Sequence, residues 1–120
     1  MEGKVNLAQK LALFDALWSP KVIGELNGQQ VKLVKTEGEY VWHHHDDEDE
    51  LFLVLEGRLA IHLRDRIVEL LPGEFFIVPR GIEHKPVGRA SLLLFEPAST
   101  RNTGNVDHRL TIEARDLERI

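Results

Sequence analysis

The 120-residue sequence contains no cysteine. That excludes disulfides, thiolate zinc sites and a cysteine nucleophile, and it fits a reducing compartment. No apolar run approaches the roughly 20 residues that a membrane-spanning helix needs. The stretch from Leu7 to Trp18 is interrupted by Lys10 and Asp15, so it lacks the core of a signal peptide. A cytoplasmic location is the default expectation. Positive charge is scarce: 15 Lys and Arg stand against 20 Asp and Glu, a net charge of -5. Such a balance disfavours nucleic acid and anionic membranes as partners. Neither a G-x-S-x-G elbow nor a phosphate-binding P-loop occurs, so serine-hydrolase and NTPase chemistry lack support. No helix-turn-helix segment, internal repeat or linker is present.

What remains is an ordinary soluble mixture, 42% apolar and 29% charged, sufficient for one core in one domain. Leu7, Leu11, Phe14 and Trp18 recur on one helical face. The pattern predicts a helix from Asn6, a natural N-cap, to Trp18, with Ser19-Pro20 ending it. Its apolar stripe should pack on the domain or on a second subunit. Beyond Lys21 the period shortens. Val22, Ile23 and Leu26 lead into Asn27-Gly28, a strong hairpin signal, and Val31, Leu33 and Val34 form the return strand. Tyr40 to His45 reads as a further strand. Leu51–Leu55, Phe75–Val78 and Leu92–Phe95 are unbroken apolar runs, the signature of strands buried on both faces. Turn signals separate them, so an all-β sandwich or barrel is expected. The tail beyond Arg101 is polar, with a weak strand signal from Arg109 to Ile112.

The densest chemistry lies in His43-His44-His45 and the acidic stretch Asp46 to Glu50. On a strand, His43 and His45 share one face and His44 points away. Two imidazoles so spaced can converge on one metal ion. The same run also fits a polar edge strand without a ligand, and Asp46, Asp47, Glu48 and Asp49 fit a solvated turn. A calcium loop does not fit, because Leu51 stands where such a loop needs glycine.

Two motifs give the chain a family resemblance. The first runs from Gly38 through His43-His44-His45 to Glu50 and Gly57. The second runs from Gly73 through Pro79-Arg80-Gly81 to His84. In order and ligand spacing they resemble the two cupin motifs. The departures are a gap after Gly38 one residue shorter than usual, and Gly88 where the second motif ends in Asn. The resemblance implies a double-stranded β-helix, an all-β jelly-roll-like barrel with a short N-terminal helix. It divides the single domain 1–120 into helix 1–20, barrel 21–98 and tail 99–120. It further implies that His43, His45, Glu50 and His84 bind a divalent metal. Three imidazoles and a carboxylate suit Mn, Fe, Co, Ni or Zn.

The reaction is not legible at this level. Small members of this kind are often called mannose-6-phosphate isomerase-like, a label for the barrel. A metal-dependent oxygenase or isomerase acting on a small organic metabolite is one expectation. A non-catalytic, sugar-like binding module is another, and a sugar-phosphate isomerase-like activity a third. With Glu50 a ligand, any catalytic base must come from elsewhere, and none is evident. His44 is expected on the outer face. His62 points away from the Leu59, Ile61 and Leu63 row, towards surface or edge. Arg80 and Lys85 flank the second motif and could meet an anion, though solvation is the commoner fate. Trp42 could line a dimer surface or cap the barrel. The surplus apolar surface leads us to expect a homodimer.

Overall fold

The computed structural model describes residues 3–120. One short helix, α1 (Leu7–Leu11), precedes β1 (Lys21–Leu26), β2 (Gln29–Thr36), β3 (Glu50–Gly57), β4 (Leu59–Leu63), β5 (Ile67–Leu70), β6 (Phe75–Val78), β7 (His84–Val87), β8 (Ala90–Pro97) and β9 (Glu118–Arg119). Asn6 caps α1 by accepting the Gln9 N–H at 3.0 Å. The helix stops at five residues rather than reaching Trp18, and Lys35 is the physical reason. Its ammonium donates to the Leu11 and Phe14 carbonyls at 2.8 and 2.6 Å, so these groups no longer need helical partners. The chain then runs extended beside β2, with the Trp18 N–H donating to the Lys35 carbonyl at 2.8 Å.

The predicted hairpin forms, with Leu26 opposite Gln29. Asn27 and Gly28 both take positive φ, 50° and 78°, the type I′ geometry that matches strand twist. The strands build a six-stranded sheet in the order β6-β3-β8-β2-β1-β9 and a three-stranded sheet in the order β5-β4-β7. The main core unites both sheets, with Phe52, Val54, Leu92 and Leu94 from one and Leu59 and Ile61 from the other. Truncating a residue such as Ile61, fully buried, to alanine costs about 2–5 kcal/mol.

This is a jelly-roll sandwich and not the closed barrel expected. The connection between β2 and β3, which should have closed one side, is irregular. Within it the expected strand Tyr40–His45 is extended but gains only an isolated bridge, His43 to His84, beside a neighbouring one from Glu39 to Val87. The apolar runs are also not buried on both faces. β8 alternates buried and half-buried along its whole length, and β3 does so from Glu50 to Leu55. Phe75 and Ile77 are 58% and 48% exposed. Each run lies in a sheet with only one face against the other sheet, and period-two alternation follows. On the outer face a second cluster gathers Leu11, Ile23 and Leu33, with Leu7 and Phe14 packed against them. The N-terminal stripe therefore covers part of that face.

The tail is ordered onto the sandwich. Thr100 and Thr103 are fully buried, a short 3-10 helix spans Ala114–Asp116, and β9 pairs parallel with β1. The weak strand signal at Arg109–Ile112 is a loop. Asn102 takes the backbone partners a strand would use, donating to the Leu110 carbonyl and accepting the Ile112 N–H at 2.9 and 2.8 Å.

Candidate metal centre

His43 and His84 are neighbours because their backbones bond reciprocally: the His43 N–H donates to the His84 carbonyl at 3.1 Å and the His84 N–H to the His43 carbonyl at 2.9 Å. Their rings lie 4.3 Å apart, centroid to centroid. The second motif is tied to the first by the Gly81 N–H, which donates to the His45 carbonyl at 2.7 Å. Gly81 has φ 79°, a turn that places His84 at the head of β7. Glu50 opens β3, opposite Val78.

All four side chains are buried, and one ligand atom from each lies within 4.8 Å of the others. Glu50 Oε1 is 2.9 Å from His45 Nε2 and 3.2 Å from His84 Nε2. Yet all three atoms are buried without a hydrogen-bond partner. Orphaned polar atoms are rare in folded proteins, and here they point at one another. With metal–nitrogen bonds of about 2.1 Å, adjacent ligands of an octahedral ion stand about 3.0 Å apart, which matches these separations. The tautomers agree: Nδ1 of His43 and of His84 each meets a backbone carbonyl, Val41 and Ile82, at 2.9 Å. Each Nδ1 thus carries the proton and leaves Nε2 with a free lone pair. The donor set fits a divalent ion.

Electrostatics keep the donors in the ligating state. Burial first, and then the neighbouring His84, lower His43 from 6.5 to about 4, so it is neutral at pH 7. Burial alone would raise Glu50, but the close approach of Glu96, His45 and His84 outweighs it and holds Glu50 well below the usual carboxylate range. Glu96 moves the other way, raised by burial and by the charge of Glu50. Lys32 donates to Glu96 Oε1 at 2.8 Å, with both side chains buried. Neither Glu96 nor Lys32 stands out in the sequence. Period-two spacing could have found both, since Glu96 continues the inward series Leu92 and Leu94, and Lys32 shares a face with Val34.

The remaining candidates lie outside the cluster. His44 is on the outer side, hydrogen-bonded to Asp46 at 2.9 Å. Asp46, Asp47 and Asp49 are exposed. Asp49 is more than solvated, because it accepts the Arg80 N–H at 2.8 Å and its guanidinium at 3.2 Å. Those bonds lower its pKa and occupy Arg80. Lys85 pairs with Glu39 at 3.1 Å. Half-buried His62 sits in β4 between Ile67 and Lys85. Trp42 packs under Arg64, whose guanidinium carbon lies 3.7 Å from the ring centroid.

A jelly-roll sandwich that brings three buried histidines and a glutamate together defines a class of proteins with a candidate metal site. Residues 30–93 match the cupin domain family, and the chain belongs to that family. It is 44% identical over 64 residues to the uncharacterized protein YdbB of Bacillus subtilis (strain 168), a match spanning 52% of this chain and 57% of that protein. Among solved structures it is similar to a cupin-2 domain containing protein from Shewanella frigidimarina, at 47% identity and TM-score 0.76, covering 78% of this chain and 93% of that one. Protein NMB1881 from Neisseria meningitidis is 34% identical, with TM-score 0.73, covering 79% and 99%. Among the described residues no helix is long and apolar enough to cross a membrane.

Proposed function

We propose that this cupin binds one divalent metal ion through His43, His45, Glu50 and His84 and uses it to hold or transform a small organic molecule. The observation that carries the reading is the convergence of four buried donor atoms, three of them without any other partner. A bound ion would supply a Lewis-acid centre to an oxygen of the ligand. The chain's own residues would fix the ion and exclude water. His43 and His84 are oriented by their carbonyl partners, and Glu50 is held by Glu96 and the imidazoles. A homodimer is part of the proposal. Phe75 and Ile77 stand exposed on alternate β6 positions of one outer face, which a second copy would cover.

The test is elemental analysis of untagged protein beside His45→Ala. We expect about one equivalent of a transition metal, lost in the variant while its circular dichroism stays native. Unchanged metal content in His45→Ala overturns the ligand assignment. Turnover against binding alone separates an oxygenase or isomerase from a non-catalytic module.

A further inference from the structure

The cavity beside Glu50 is walled largely by apolar side chains, among them Val34, Phe52, Pro86, Leu92 and Leu94. Its polar groups are nearly all engaged. The Thr36 hydroxyl donates to the Gly88 carbonyl at 2.9 Å, Asn102 uses both ends of its amide on backbone, and Glu96 Oε1 is held by Lys32. Neither lysine nor arginine lines the cavity. Besides the metal-facing edge, what stays free is the Tyr40 hydroxyl and the second oxygen of Glu96. A sugar phosphate would bring a dianion with no lysine or arginine at the wall to meet it and several hydroxyls with almost no partners. Each hydroxyl buried unpaired costs about tenfold in affinity. An apolar ring would meet matching walls.

Trp18 lines the half-buried side of the cavity. Its ring stacks on Tyr40 at 4.5 Å and 18°, and both are half-buried while the walls behind them are buried. Trp18 holds φ at 56°, a region that strains a bulky side chain. The segment before it is largely exposed. With Trp18 stacked, the cavity is about 40 Å³, room for a few waters but not for a ring. Displacing Trp18 would free the face of Tyr40 and release the strained backbone.

We propose that this pocket takes a small, planar, apolar-bodied ligand with one oxygen-bearing chelating end, whose ring replaces Trp18 on the Tyr40 face. The proposal rests on the metal-site reading above. Its test compares benzohydroxamate with acetohydroxamate, which share a metal-binding end and differ in the ring. Metal content is measured first, and both are then titrated by calorimetry into the metal-loaded protein. The ring gives benzohydroxamate about 30-fold tighter binding, and mannose 6-phosphate does not displace it. In Trp42→Phe, where Trp18 is the one remaining tryptophan, benzohydroxamate shifts the emission and acetohydroxamate does not. Equal binding of the two hydroxamates, or displacement by mannose 6-phosphate, overturns the proposal and leaves the metal reading intact. A protein that holds no metal even after reconstitution overturns both, and the content measured beforehand tells the two failures apart.

Discussion

Gly104 should be among the costliest positions to substitute, although it lies in the polar tail. Its φ is +55°, and a Cβ there would stand 2.2 Å from the His44 carbonyl oxygen and 3.1 Å from His43 Cδ2. Non-bonded heavy atoms settle near about 3.5 Å, so roughly 1 Å of backbone movement is required. Neither side yields easily. The Asn105 N–H donates to the His44 carbonyl at 3.0 Å, and the His44 N–H donates to Asn105 Oδ1 at 2.9 Å. Gly104→Ala should destabilise the metal-free protein by about 3 kcal/mol, lowering the melting temperature by about 10 °C. Because His43 and His45 flank the displaced peptide, metal affinity should fall about 10- to 100-fold. Gly28→Ala is the control: its φ is +78°, but nothing lies within 4 Å, so it costs about 1 kcal/mol and leaves affinity alone. Urea denaturation of chelator-treated protein reads the first effect, and chelator competition the second. A Gly104→Ala protein that behaves like Gly28→Ala would refute the clamp.

In metal-free protein His43 titrates at about 4, against 6.5 for the ordinary group. Below pH 6.5 the unfolded chain takes a proton that the native chain refuses, so about 3 kcal/mol of stability present above pH 6.5 is lost on descending to pH 4; urea midpoints constant across that window would contradict this. Lys32→Met leaves the buried Glu96 unpaired, with side-chain exposures of 1% and 3% for the pair, and should cost about 3 kcal/mol, most of it recovered by adding Glu96→Leu. Equal losses in single and double variants would show that the pair is not coupled. Light scattering at micromolar concentration should give twice the 13.7 kDa chain mass, and Ile77→Asp should reduce it to one; identical masses for the two proteins would remove that face from the interface.

The legible part of the molecule was the part written in short-range spacing. Asn27-Gly28 announced a turn that needs positive φ twice, and the two motifs named four side chains that do converge. Strand runs were visible in β3, β6 and β8, but their burial was not. An apolar run carries no record of whether its second face meets a sheet, a partner or water. The N-terminal stripe and the start of the helix were real while its length was not, because Lys35, over twenty residues away, takes the carbonyls that would have continued it. The Lys32–Glu96 pair spans 64 positions and follows from β2 pairing with β8, a contact that no local pattern announces.

The clamp on His44 by a residue 61 positions later sets an order in time. Synthesis releases a chain from its N-terminus at about 5–20 residues per second. His43, His45 and Glu50 therefore emerge seconds before His84, Glu96 and Asn105. β8, which joins β2 to β3, also arrives late. An ion at this site would be received by a molecule already folded, through its mouth. Its full set of ligands would be assembled only once the late segments have docked, unlike the ion of a zinc finger, around which the chain folds.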